Sequence, residues 1–188
     1  MGVILLTGPV RSGKSAAAER LAAARGGPVA VAVAGWDGDE EMARRIEAHK
    51  AVRPEGWTTV TATPDATWLA DVPEGAVLVL DCLGTLVATA CYEAVGEAEV
   101  APEGAEAAVA ARIDTLVAAL LARAGDCVIV SNETGWGVVP VWPGARLFRD
   151  ELGRANRRLT DAADAAYLVV CGRFLDLHAL SAAPEWPR

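Results

Sequence analysis

The sequence predicts an α/β fold, a mostly parallel sheet with helices on both faces. Two observations carry this. Short continuous apolar runs, the pattern of strands covered on both sides, recur between longer helical stretches. The first of them, Val3–Thr7, runs directly into Gly-Pro-Val-Arg-Ser-Gly-Lys-Ser at residues 8–15, which opens an Ala-rich stretch from Lys14 to Arg25. A strand, a glycine turn and a helix in that order aim backbone N–H groups and a helix N-terminus at one spot, a ready anion site.

The elements follow in order. After the helix Lys14–Arg25, Gly26-Gly27-Pro28 stops it and opens a second strand, Val29–Val33. A helix is predicted over Asp39–Ala51: Met42, Ile46 and His49 recur at i, i+4 and i+7, and Asp39, Glu40 and Glu41 suit the dipole of its first turn. Thr58–Thr61 is a weaker strand signal, and Asp65–Leu69 starts a short helix. Ala76–Leu80 reads as a strand ending in Asp81, followed by a helix around Leu83–Glu93. Val95–Ala105, rich in Gly, Glu and Ala, reads as a solvated connection into a helix over Glu106–Ala124. Val128–Ser131 is a strand entering a glycine-punctuated loop up to Pro140; Ala145–Ala162 is a helix and Ala166–Val170 the last strand. The expected organisation is one domain over residues 1–180, with a frayed tail at 181–188 and no internal repeat.

Composition narrows the function. The 188 residues carry a net charge of −8, with a pI near 4.8, which argues against a general nucleic-acid binder. An acidic chain that grips polyphosphate must concentrate positive charge locally, and Arg11, Lys14, Lys50 and Arg53 are the candidates. The longest apolar stretch, Ala76 to Tyr92, is broken by Asp81 and falls short of the roughly 18 residues a membrane span requires. No basic region precedes the first apolar run, so a cytoplasmic protein is expected. Cys82, Cys91, Cys127 and Cys171 show no C-x-x-C spacing and read as small buried hydrophobes.

Residues 8–15 match the phosphate-binding pattern G-x-x-x-x-G-K-S in full, and this predicts that the chain binds a nucleoside triphosphate. Gly8 and Gly13 give backbone freedom, while Pro9, Val10, Arg11 and Ser12 form the loop between them. Lys14 is placed to reach the β- and γ-phosphates, and the Ser15 hydroxyl to ligate Mg²⁺. Asp81, at the carboxyl end of a buried strand, stands where such folds hold Mg²⁺, or is a simple turn or N-cap aspartate. From spacing alone His49 is a packed helical residue; yet an imidazole is also a competent nucleophile toward phosphorus, and Lys50 and Arg53 follow it closely. Asn132 and Glu133 read equally as substrate-facing groups or as an ordinary strand-to-turn transition.

Together these segments resemble the bifunctional adenosylcobinamide kinase / adenosylcobinamide-phosphate guanylyltransferase family of cobalamin biosynthesis, from Val3 to about Leu177. The loop Thr7–Ser15 is similar to the family's TGGARSGKS. Asp39 to Trp57 resembles its D-x-E-M-x-x-R-I-x-x-H-K helix with the following R-P and Trp. Asp81-Cys82-Leu83 and Ser131 to Pro140 are similar to its D/E-C-[LI]-T and S/T-N-E-V-G-x-G-I-V-P segments. Phe148–Leu159 and Ala163–Gly172 resemble the two later ones. The phosphate loop alone is generic; the His helix and the Asn-Glu loop are more specific.

The resemblance implies a RecA-like P-loop NTPase fold, a homotrimer and two reactions. In the first, the γ-phosphoryl of ATP or GTP passes to the aminopropanol hydroxyl of adenosylcobinamide. In the second, GTP is attacked at its α-phosphorus to give a GMP–histidine at His49, and the GMP passes to adenosylcobinamide phosphate. The chain departs from the family at Pro9, which removes one loop N–H. At Val33-Ala34-Gly35, where small hydroxyl residues are usual, only backbone contacts with nucleotide are expected. Thr61 stands where Glu would pair with guanine, and Gly84 where Thr is usual. Two other readings remain open at this point. One is a P-loop small-molecule kinase without the guanylyl step; the other is a nucleotide-gated module that transfers nothing.

Overall fold

The computed structural model describes residues 2–34, 54–180 and 182–183. The helix expected over Asp39–Ala51 lies outside the described residues, and with it Gly35, His49, Lys50 and Arg53. Of the tail at 181–188, only residues 182 and 183 are described.

Among the described residues the strands are β1 (Val3–Thr7), β2 (Val29–Ala34), β3 (Thr58–Ala62), β4 (Val77–Asp81), β5 (Cys127–Val130), β6 (Ala165–Val170) and β7 (Arg173–Asp176). They form one sheet in the order β3-β2-β4-β5-β1-β6-β7. Six strands run parallel and β7 lies antiparallel to β6. The helices are α1 (Lys14–Arg25), α2 (Leu83–Val95), α3 (Ala105–Ala122) and α4 (Pro143–Ala162), with a 3-10 turn at Thr67–Asp71.

The pleat divides each strand between two cores. Leu5, Leu78, Leu80 and Ile129 face one side, where Leu86, Leu116, Leu120, Leu152 and Leu159 of α2, α3 and α4 cover them. Leu6, Val31, Val79, Val128 and Val130 face the other, against Ala17, Ala18 and Ala22 of α1. A stripe of alanines lets α1 lie close to the sheet. The fold class is therefore the expected one, helices on both faces of a mostly parallel sheet.

The expected elements are present within the described residues, with ends shifted by a residue or two. α1 and β1 have the expected bounds. β4 is displaced by one residue, so that Asp81 closes the strand, paired with Val33 and Val130. α4 starts at Pro143 rather than Ala145, because proline's missing N–H costs nothing in a first turn. The short helix at 65–69 is the 3-10 turn two residues on; Asp65 Oδ1 accepts the Thr67 N–H, and Trp68 is buried with its Nε1–H on Thr63 O.

β7 was not anticipated. Cys171 and Gly172, at φ 49° and 71°, join the paired residues Val170 and Arg173 in a two-residue hairpin turn. Cysteine gives no turn signal in a sequence, and all four residues of β7 are exposed, so no alternation marks it. The same turn corrects one cysteine: Cys91 and Cys127 are buried as expected, but Cys171 is exposed and Cys82 only half-buried. Burial pushes the Cys91 and Cys127 thiols up to about 12, so neither is a thiolate at neutral pH.

Glu151, on the inner face of α4, is the one fully buried carboxylate among the described residues. Arg154 Nη1 lies 2.9 Å from its Oε1, yet that oxygen has no aligned hydrogen-bond donor. Burial, opposed by Arg154 and reinforced by the charges of Glu106, Asp114 and Asp150, raises its pKa above the ordinary glutamate value. Between the ordinary and the raised values the folded chain binds a proton that the unfolded chain has lost, so stability falls as pH rises through that window. Glu151→Gln is therefore expected to melt about 2–4 °C above the wild type at pH 7, the shift of roughly 1 kcal/mol in a chain this size. The difference closes toward pH 4. Thermal melts at the two pH values test this, and an equal offset at both would refute it.

Candidate active site

The parallel strands present their carboxyl ends along one edge of the sheet. This is where open α/β folds bind ligands, since loops there leave the sheet with free backbone groups. The edge carries residues 8–13 after β1, Asp81 and Cys82 at the end of β4, Ser131–Glu133 after β5, and the turn after β6. Strands lie about 4.8 Å apart. With only β5 between β4 and β1, Asp81 is thus about 10 Å along the edge from the start of the phosphate loop.

The loop is held by its neighbours. At Gly8, with φ 146°, a Cβ would stand 2.3 Å from Val169 O on β6, so no side chain fits. Gly8 O accepts the Glu133 N–H at 3.1 Å, and Ser12 O accepts the Gly172 N–H at 2.9 Å. Chain from β5 and from the β6–β7 turn therefore brackets the loop on either side. Arg11 takes a left-handed φ of 56° and is exposed, as are Pro9 and Val10. Gly13, at φ 101°, is the N-cap of α1 and offers no side-chain cap, and no acidic residue occupies that first turn. The first N–H groups of α1 thus have no side-chain cap, an arrangement that suits an anion. α2 begins at the same edge, after Cys82, and likewise has neither a side-chain cap nor an acid in its first turn.

Lys14 is buried, its Nζ donating to Gly8 O at 2.8 Å and Pro9 O at 2.7 Å, with Ser12 Oγ at 3.5 Å. Pro9 thus lacks a loop N–H but supplies one of the carbonyls that hold the ammonium. Burial lowers the Lys14 pKa, opposed by Cys82 when that thiol is ionised and by the Asp81 carboxylate. Asp81 therefore acts electrostatically on the loop lysine. Ser15 follows in the first turn of α1, half-buried. Among the described residues no three His, Cys, Asp or Glu side chains gather into a protein-only metal cage. A hydroxyl and a carboxylate are hard oxygen donors, and Mg²⁺ is usually held by one or two such groups plus phosphate and water. Ser15 and Asp81 fit that donor chemistry.

Asn132 and Glu133 lie between the Asp81 end and the phosphate loop. Asn132 packs over the start of α2, where a Cβ on Gly84 would meet its Nδ2 at 3.1 Å. The departure at Gly84 thus gives Asn132 room. Glu133 Oε1 accepts the Gly135 N–H at 2.7 Å. The following loop exposes Trp136, Val138, Val139, Val141 and Trp142. It is pinned from α4: Arg149 donates to the carbonyls of Gly135, Gly137 and Val138, and Arg146 to those of Pro140 and Val141.

Val33, Ala34 and Thr61 sit farther along the same edge. Val33 and Ala34 are buried, and Val33 pairs with both Thr61 and Asp81. β2 is three strands from β1 and β3 four, about 14 and 19 Å away. These residues are therefore not brought against the phosphate loop, while Thr61 is exposed at its position. Sequence reasoning gave no role to Arg146, Arg149 or Asn156. Asn156 had a signal: it interrupts the apolar stripe Leu152, Ala155, Leu159 on α4, and a polar residue on a buried face needs partners.

Comparison with known proteins gives concordant results. The family described as cobinamide kinase / cobinamide phosphate guanyltransferase matches residues 4–177. The bifunctional adenosylcobalamin biosynthesis protein CobU of Escherichia coli (strain K12) is 38% identical over 175 residues, covering 90% of this chain and 96% of that protein. Its Salmonella typhimurium namesake is 38% identical over 177 residues with the same coverage. The bifunctional protein CobP of Pseudomonas aeruginosa is 34% identical over 175 residues, covering 89% and 92%. Among solved structures, a prototypical ATPase from the type III secretion system of pathogenic bacteria matches at TM-score 0.50 and 14% identity. It covers 89% of this chain, which spans half of that one, and this likeness concerns the fold alone.

Proposed function

The chain belongs to the cobinamide kinase / cobinamide phosphate guanyltransferase family, and we propose that its two reactions in adenosylcobalamin biosynthesis divide between the phosphate loop and His49. In the first, the aminopropanol hydroxyl oxygen of adenosylcobinamide attacks the γ-phosphorus of ATP or GTP and gives up its proton to water, the bond to the β-phosphate oxygen breaks, and the nucleoside diphosphate leaves. In the second, a neutral His49 nitrogen attacks the α-phosphorus of GTP and pyrophosphate leaves. The phosphate oxygen of adenosylcobinamide phosphate then displaces the histidine and takes up GMP as adenosylcobinamide-GDP.

The observation that carries the first half is the contact between the phosphate loop and the Asn132–Glu133 peptide, Glu133 N–H to Gly8 O at 3.1 Å. It supports an acceptor side directly against the triphosphate side. Gly8–Gly13 and the N-terminus of α1 would hold the β- and γ-phosphates, with Lys14 countering their charge. Ser15 and Asp81 would hold Mg²⁺, which when bound neutralises charge on the phosphate oxygens. The second half rests on sequence and family, His49 lying outside the described residues. β2, the last described strand before His49 in the sequence, ends at Ala34 on the active edge. Thr61, Lys50 and Arg53 belong to the guanylyl side of this reading, with Val33, Ala34 and Gly35. A cytoplasmic homotrimer completes it; no helix among the described residues is long and apolar enough to cross a membrane.

The test is to incubate the protein with GTP labelled at the α- or the γ-phosphate. The α-label is expected to remain on the protein in acid-labile form and the γ-label not. Adenosylcobinamide should then be converted to a product of the mass of adenosylcobinamide-GDP. Active protein that retains no α-label would remove the covalent guanylyl step.

A further inference from the structure

The Asn132–Glu133 peptide group is held on both edges. Its N–H donates to Gly8 O at the mouth of the phosphate loop, 3.1 Å away. Its carbonyl, that of Asn132, accepts from Asn156 Nδ2 at 2.9 Å. Asn156 comes from the buried face of α4 and is itself buried. Its Oδ1 accepts the hydroxyl of the buried Ser131 at 2.5 Å, and its Nδ2 also stands 3.5 Å from Thr7 Oγ1 at the end of β1. One amide therefore ties together the ends of β1 and β5, the two strands that deliver the phosphate loop and the Asn132–Glu133 segment.

A peptide is planar, so fixing its carbonyl fixes the direction of its N–H. The asparagine on α4 thereby sets which way Glu133 N–H points at Gly8 O, the carbonyl on which Lys14 Nζ also rests at 2.8 Å. The side chain of the same Asn132 lies over Gly84. We propose that Asn156 is a positioning residue for phosphoryl transfer: it orients the Asn132–Glu133 peptide, and through that peptide it holds the acceptor side in register with the phosphate loop. This rests on the reading of Asn132–Glu133 as the acceptor side. The residue touches no reacting atom; it acts through a peptide that does its work on the loop. Side chains that supply such alignment raise kcat, because small displacements of reacting groups forfeit most of the benefit of proximity.

Two variants separate alignment from general stability. Asn156→Asp keeps the acceptor for Ser131 but sets a carboxylate oxygen against Asn132 O. Ser131→Ala removes the other half of the same network and leaves the Nδ2 contacts in place. Asn156→Asp is expected to lower kcat for cobinamide phosphorylation about 10²-fold with nucleotide KM changed less than about threefold, while Ser131→Ala stays within about threefold of wild-type kcat. Amide hydrogen exchange at Glu133 should speed up in Asn156→Asp and not in Ser131→Ala. If Asn156→Asp does not fold, Asn156→Ser is read the same way, its short hydroxyl leaving the peptide unheld without adding charge. Unchanged Glu133 exchange, an equal fall of kcat in the two variants, or an effect confined to nucleotide KM would overturn the proposal. Wild-type protein inert toward cobinamide would count against the functional reading alone, and the exchange comparison would still decide this one.

Discussion

Lys14→Met is expected to lower the turnover of cobinamide phosphorylation about 10³-fold, the scale found when one preorganised charge or donor is removed from a transferring group. The side chain is buried, with its charge held by the carbonyls of Gly8 and Pro9. Those bonds keep the ammonium at the phosphate loop before any nucleotide arrives, so little reorganisation is needed when phosphate displaces them. Methionine fills the same volume without the charge. It relieves the cost of burying an ammonium but leaves Pro9 O without its donor, two terms of opposite sign and similar size. The melting temperature is therefore expected to move by no more than about 4 °C. A second signature follows from protonation. Burial lowers the Lys14 pKa, so in the free enzyme its charge is lost at a pH below that of an ordinary lysine. A polyanion binds the charged form better, and wild-type nucleotide affinity should weaken as pH rises through that lowered value. The same titration in Lys14→Met should be flat. Turnover retained within tenfold in a folded variant would remove Lys14 from the transfer step.

Much of the candidate site was legible because the residues that compose it are local in sequence. Residues 8–15 announce a phosphate loop, since strand, glycines, lysine and helix must follow one another within a few residues, and α1 starts and ends where the pattern placed it. Asp81 and Asn132–Glu133 were legible as the first polar residues after apolar runs. What stayed hidden was made by contact between distant segments. The bond from Glu133 to Gly8 links residues far apart in the chain, and no local pattern announces it. Asn156 could be seen as a polar interruption of an apolar stripe, but its three partners at the end of β1 and just after β5 could not. The Arg146 and Arg149 clamps reach only 5 to 14 residues back along the chain, but they are two ordinary helical arginines until the loop folds against them. Gly84 read as a simple departure from the family, and only packing shows that it makes room for Asn132. β7 failed for another reason: an exposed edge strand of four residues has no apolar period to detect.

His49→Ala is expected to separate the two reactions. Protein-bound label from α-labelled GTP and all formation of adenosylcobinamide-GDP should disappear, while phosphorylation of adenosylcobinamide continues at near the wild-type rate. The separation follows from the bonds involved. Transfer to a hydroxyl from the γ-position needs positioning and charge neutralisation, which the proposed function assigns to the phosphate loop, Lys14 and the N-terminus of α1. Retaining a nucleoside monophosphate on the protein needs a nucleophile with a free lone pair, and an imidazole has one once its proton is gone. The phosphorus–nitrogen bond it forms is acid-labile, which distinguishes it from a serine or threonine ester. The second histidine provides the control. His178 Nε2 stands 2.7 Å from Thr160 O at the end of α4, a contact that belongs to the fold, and His178→Ala should leave the α-label intact. Label surviving in His49→Ala would assign the GMP to another nucleophile. Loss of both reactions in a folded His49→Ala variant would mean that the two transfers share one centre, and the division of labour proposed for the phosphate loop and His49 would fail.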